Sequence, residues 1–126
     1  MTVKSLKLES RVAIVTGAAQ GIGLSIVQKL ANEGAQVIAN DLDADLLAEN
    51  VDKLTEQGMT AHALPGDITE QATTEALVST ALERYGDLHI VVNNAAYIWN
   101  SAAVKHTDEQ WQAMLDVHAT GPFRLL

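Results

Sequence analysis

Short apolar runs alternate along the chain with longer stretches of helical periodicity. Residues 11–16, Arg11-Val12-Ala13-Ile14-Val15-Thr16, are apolar and β-branched at successive positions and stop at Gly17, which predicts a strand covered on both faces. Residues 22–33 place Ile22, Ile26, Val27, Leu30 and Ala31 at helical spacing, and Gly34 follows as a natural stop. The pair recurs in residues 35–40, a second strand, and residues 43–57, a helix with Leu46, Leu47, Val51 and Leu54 inward and Gly58 closing it. Residues 59–64 predict a third strand. Thr69 is placed to cap a helix reaching Tyr85, with Leu77, Val78, Ala81, Leu82 and Tyr85 on one face and Gly86 at its end. Residues 88–92 supply a fourth strand. Thr107 and Gln110 then form a capping-box pair, and Trp111, Met114, Leu115 and His118 continue a last helix.

Strands alternating with helices of this length imply right-handed βαβ crossovers and an α/β fold, a doubly wound parallel sheet of four βα units. No linker, repeat or low-complexity tract divides residues 1–126, so they are expected to form a single domain. Sheets of this kind bind ligands beyond the carboxyl ends of their strands, where strand order reverses. The loops after Thr16, Asn40, Leu64 and Val92 are the places where a site is expected.

The first of these loops, Thr16-Gly17-Ala18-Ala19-Gln20-Gly21-Ile22-Gly23, spaces its glycines as G-x-x-x-G-x-G between a strand and a helix. Such glycines let backbone N–H groups approach a pyrophosphate, whose charge is favoured at a helix N-terminus. The alternative is an ordinary glycine-rich turn. A P-loop would need Gly-Lys-Ser/Thr, but Leu24 and Ser25 follow Gly23. Asp41 lies 18 residues beyond Gly23, close to where a dinucleotide fold places the acid that accepts hydrogen bonds from a ribose 2′-OH. A 2′-phosphate would meet that carboxylate with no Lys or Arg in residues 40–45 to compensate, so NAD is expected over NADP. The lesser alternative is that Asp41 merely solvates the loop or caps the next helix, the role more natural for Asp43 and Asp45.

Composition narrows the classes. The 126 residues are 48% hydrophobic and 19% charged, which excludes disorder as the default. Eight Lys and Arg against sixteen Asp and Glu leave a charge of −8, the wrong sign for a nucleic-acid partner. There is no Cys for a disulfide, thiol nucleophile or thiolate metal site. No run reaches the roughly 18 apolar residues of a membrane span, and Met1 to Glu9 lack the apolar core of a signal peptide, so a cytoplasmic location is expected. His62, His89, His106 and His118 show no metal-ligand spacing, and no metal is expected. Ser101, His106 and Asp108 have no nucleophile-elbow motif to support a triad. Tyr97, Trp99 and Trp111 are candidates for a pocket wall or for packing.

Thr16-Gly17-x-x-x-Gly21-x-Gly23, Asp67-Ile68 after the third strand and Asn93-Asn94-Ala95-Ala96 after the fourth together resemble the short-chain dehydrogenase/reductase family of NAD(P)-dependent oxidoreductases. The resemblance covers nearly the whole chain from Leu8 onward, with Ala96 where the family usually has Gly. It implies a Rossmann fold in which Gly17, Gly21, Ile22 and Gly23 hold the pyrophosphate. Asp67 and Ile68 would flank the adenine, and Asn93 with Ala95 would line the pocket beside the ribose. Read without the family, Asn93 and Asn94 are turn formers after a strand. The family's chemistry is hydride transfer between nicotinamide and an alcohol or carbonyl substrate, commonly in a homo-oligomer. Its Ser, Tyr and Lys lie downstream of Ala96 and are missing: four residues after Tyr85 is His89, and four after Tyr97 is Ser101. A phenol of ordinary pKa, about 10, is no acid/base catalyst at neutral pH without such help.

One catalytic position of the family does fall within the chain. His118 stands where the family usually has Asn, and the main-chain carbonyl there would hold a proton-relay water. Pro122 has no N–H and so removes the donor an α-helix would offer the His118 carbonyl, which makes that role compatible with the changed side chain. The alternative is a kinked helix with a His on its surface. Two functions therefore stand: the N-terminal portion of an NAD-dependent oxidoreductase, inactive as 126 residues alone, or a non-catalytic dinucleotide-binding module acting through partner contacts.

Overall fold

The computed structural model describes residues 6–96, 105 and 107–126. Four parallel strands, β1 (Val12–Val15), β2 (Gln36–Ala39), β3 (Ala61–Ala63) and β4 (Ile90–Val92), lie in the order β3-β2-β1-β4. Helices α1 (Gly21–Asn32), α2 (Ala44–Glu56) and α3 (Gln71–Tyr85) follow the first three strands. Beyond β4 come α4 (Asp108–Leu115), a π-helical turn (Asp116–Thr120) and α5 (Gly121–Leu125).

Alternation along β1 explains the two layers. Ala13 and Val15 point with Val37 and Ala39 into a core shared with Val27 of α1 and Leu47, Val51 and Leu54 of α2. Val12, Ile14 and Ile38 point the other way, onto Leu77 and Ala81 of α3 and Leu125 of α5. All four β1 residues are buried, as a strand with helices on both faces requires. Ile90, Val91 and Val92 of β4, which among the described residues has a strand on one side only, remain half-buried. The chain leaves β1 for β2 on one side and later returns to β4 on the other, so the switch point lies beyond Val15 and Val92, which pair in register.

Two expectations need correction, and the course of the last helix near Pro122 is a further finding. Thr69 does not cap α3: the N-cap is Glu70, and Thr69 instead donates its N–H and hydroxyl to Asp67 Oδ1 at 2.9 and 2.7 Å. The nearby Asp offers a two-residue turn that outcompetes capping. Ile22 and Leu82 do not join the apolar faces of their helices and are 74% and 50% exposed. Ile22 sits in the first turn of α1, directly after the glycine-rich loop, and the buried residues of this helix are Gly23, Val27 and Ala31. The last helix does not run unbroken through Pro122. It widens into the π turn, where the Gly121 N–H bonds the Asp116 carbonyl five residues back. A proline that cannot donate at its own position is accommodated by this extra residue.

The Thr107–Gln110 capping box forms as expected, with bonds of 3.1 and 2.9 Å. Among the described residues no helix is long and apolar enough to cross a membrane, and no group of three or more acidic or His side chains could hold a metal. Tyr97, Trp99, Ser101 and His106 lie outside the described residues.

Candidate functional site

A cleft of about 120 Å³ opens beyond the carboxyl ends of the strands, lined by Gly17, Asn40, Asp41, Leu42, Gly66, Asp67, Ile68, Ala95, Ala96 and Val117. It draws on every loop where a site was expected.

Gly17 adopts φ +63°, and a Cβ there would lie 2.9 Å from Ala95 Cα. A Cβ on Gly23 would collide with the Gly17 carbonyl and lie 2.6 Å from Asn94 Nδ2. Only glycine lets the first turn of α1 close onto the loop this tightly. The N-cap residue Gln20 makes no side-chain capping bond, and the first turn carries no acidic residue. Its N–H groups and dipole thus face the loop without a competing carboxylate.

Asp41 lies two residues beyond β2, beside this turn. Its Oδ2 accepts the Ala19 N–H and its Oδ1 the Asp43 N–H, both at 3.0 Å. Each carboxylate oxygen keeps a second lone pair for a hydroxyl donor. Asp43, in turn, caps α2 through Leu46 N–H at 3.1 Å. Asp67 is held by its turn with Thr69, and the adjoining Ile68 is buried against α3 and α5. Gly121 presses on this loop: a Cβ there would sit 2.9 Å from the Ile68 carbonyl. Arg124 of α5 donates to the Thr69 carbonyl at 2.8 Å.

Asn93 is exposed at the end of β4, whereas Ala95 packs on Gly17. His118 is exposed in the π turn, and its neighbour Val117 lines the cleft. Gly17, Asp41, Asp67, Ile68 and Ala95 therefore share one cleft, with Gly21, Ile22 and Gly23 at the helix start beside it.

Four polar residues hold this arrangement: Thr16 and Asn94 stand within the motifs but had no role assigned, and Asn40 and Asn50 lie outside them. Thr16 Oγ1 accepts the N–H groups of Asn94 and Ala95 at 3.1 Å each. Asn94 Nδ2 donates to the Gly17 carbonyl at 3.1 Å. Asn40 Nδ2 donates to the carbonyls of Leu64 and Gly66 at 3.0 and 3.2 Å, tying β2 to the loop after β3. Asn50, from α2, donates to the Ala19 carbonyl at 2.6 Å. The available signal was a polar side chain closing an apolar strand, as at Thr16 and Asn40, or a weak helix former inside a helix, as at Asn50.

A doubly wound parallel sheet with a glycine-rich turn at its switch point is a Rossmann-type architecture. The chain belongs to the short-chain dehydrogenase family, whose model matches residues 11–126. An uncharacterized oxidoreductase of Bacillus subtilis strain 168 is 36% identical over 116 residues, covering 92% of this chain and 45% of the relative. A short-chain dehydrogenase/reductase of Burkholderia phymatum, solved in complex with NAD, superposes with TM-score 0.90 at 28% identity over 94% of this chain and 42% of its own. An actinorhodin polyketide ketoreductase variant with NADPH gives TM-score 0.86 at 36% identity, over 91% and 44%. The chain thus spans less than half the length of each of these three proteins.

Proposed function

We propose that these residues are the N-terminal, cofactor-binding portion of an NAD-dependent oxidoreductase that moves a hydride between nicotinamide and an alcohol or carbonyl substrate. The observation that carries the reading is the glycine cradle, where a Cβ on Gly17 or Gly23 would fill the space beside Asn94 and Ala95. When bound, the dinucleotide supplies the hydride acceptor or donor. Gly17, Gly21, Ile22 and Gly23 bring backbone N–H groups to its pyrophosphate, Asp41 accepts from the ribose hydroxyls, and Asp67 and Ile68 flank the adenine. Asn93 and Ala95 line the ribose side. The His118 main chain holds a relay water.

The preference for NAD rests on Asp41. Its carboxylate lines the cleft, and among residues 40–45 no cation stands ready to receive a 2′-phosphate. We place the protein in the cytoplasm, as a homo-oligomer acting on a small molecule.

Calorimetric titration of the 126-residue chain with NAD and NADP, beside turnover assays of the whole protein on alcohols and carbonyls, tests the proposal. Binding that favours NAD, with turnover by the whole protein only, is the expected result. Binding without turnover in the whole protein would favour a non-catalytic module instead, and equal or tighter NADP binding would remove the role given to Asp41.

A further inference from the structure

Asn50 lies in the middle of α2, three residues after buried Leu47 and next to buried Val51, at the margin of the face that packs on the sheet. Asparagine is a poor helix former because its amide competes for nearby backbone groups. Here the amide does not fold back on its own helix. Asn50 Nδ2 crosses to the glycine-rich loop and donates to the Ala19 carbonyl at 2.6 Å. On the other side of the same residue, the Ala19 N–H donates to Asp41 Oδ2 at 3.0 Å. The preceding Ala18 N–H is bonded to the Asn40 carbonyl at 2.9 Å. Both Ala18 and Ala19 are buried, so no side chain from the loop itself contributes to this anchoring beyond contact.

We propose that Asn50 is a positioning residue for the pyrophosphate loop, clamping the Ala19 peptide against Asp41 so that the turn from Ala19 to Gly21 is held open for a diphosphate before it binds. The inference rests on the dinucleotide-binding reading and deepens it. Asp41 faces both ways: it fixes the Ala19 N–H and stands in the cleft wall. With the Ala19 carbonyl held by Asn50, a ribose hydroxyl that draws on Asp41 cannot pull the loop out of register. Without that bond, Ala19 is held from one side only, and binding must order the loop at the cost of affinity.

The loop meets the phosphates and not the base, which separates positioning from general destabilisation. Asn50→Ala, which favours the helix, and Asn50→Leu, which keeps the bulk, are titrated by ligand-observed NMR with NAD, ADP-ribose and adenosine. Both variants should bind NAD and ADP-ribose about fivefold to tenfold more weakly, the scale of one hydrogen bond. Adenosine, which carries no phosphate, should bind within about twofold of the unmutated chain. Unchanged NAD affinity in both variants, or a parallel loss for all three ligands, overturns the role of Asn50. If the unmutated chain binds adenosine but neither NAD nor ADP-ribose, the dinucleotide reading itself fails, and the inference with it.

Discussion

Asn94 Nδ2 donates to the Gly17 carbonyl at 3.1 Å, joining the end of β4 to the glycine turn across the switch point of the sheet. The same amide stands 2.6 Å from where a Gly23 Cβ would be, so this bond and the absence of a side chain at position 23 depend on each other. Gly23→Ala therefore forces the Gly17 carbonyl and Asn94 apart. It should destabilise the fold by about 1–3 kcal/mol, the range for overpacking, and weaken NAD binding beyond that loss. Urea unfolding and NAD titration of the variant check this, and an unchanged urea midpoint would contradict the packing argument.

Thr16 supports the junction from the opposite side, by accepting the Asn94 and Ala95 N–H groups. Thr16→Val keeps the shape and deletes the acceptor. The Ala95 N–H, in a partly buried position, loses its partner at about 1–3 kcal/mol, whereas the Asn94 N–H keeps the Val92 carbonyl at 3.1 Å. The expected loss exceeds that for Ser79→Ala, whose hydroxyl is exposed on α3 and bonds only the Glu75 carbonyl. Equal urea midpoints for the two variants would show that water replaces Thr16 at no cost.

These two residues mark where sequence reading ends. The strands and helices were legible because each carries a local period: β1 is a continuous apolar run, and α2 repeats Leu47, Val51 and Leu54 down one side. The glycines were legible because their spacing is itself the constraint. The bonds from Asn94 to Gly17 and from Thr16 to Ala95 join residues 77 and 79 positions apart, a separation at which no periodicity connects them. Thr69 shows the opposite failure. A good capping residue stood at the right distance from a helical run, but Asp67 two positions earlier took both of its donors.

Asp41→Ala tests cofactor choice. On the proposed reading, removing the carboxylate would delete hydroxyl acceptors for NAD and the repulsion of the NADP phosphate; it also releases the Ala19 N–H. NAD affinity should fall about tenfold or more, the scale of hydrogen bonds to a charged group, while NADP affinity should change little or rise. Parallel titrations with both dinucleotides read the ratio directly, and a ratio unchanged by the mutation would refute the assignment.

Acid should weaken the fold through His62. This half-buried residue of β3 has its pKa lowered from 6.5, first by burial and then by the Arg84 charge. The unfolded chain therefore takes up a proton at higher pH than the folded one. Stability from the neutral imidazole is complete above pH 6.5 and is lost as pH falls through the lower folded value. His62→Gln should lessen the drop in urea midpoint between neutral and mildly acidic pH, and an identical drop in both proteins would assign it to other groups.

The 126-residue chain should self-associate. Among the described residues β4 has a strand neighbour only in β1, so its other edge presents backbone N–H and C=O groups on a half-buried Ile90-Val91-Val92 run. Beyond it, Trp111 of α4 and Phe123 of α5 are 61% and 73% exposed, areas of aromatic surface that favour burial against a partner. A net charge of −8 opposes association, but at physiological salt it is screened over about 8 Å, whereas apolar contact acts at touching distance. Contact should prevail. Sedimentation velocity at micromolar concentration is expected to show dimers or larger species, reduced by Trp111→Glu together with Phe123→Glu. A single monomeric species with a cooperative melt would instead show that the four-strand sheet tolerates its open edge, and that the −8 charge is enough to keep these surfaces apart.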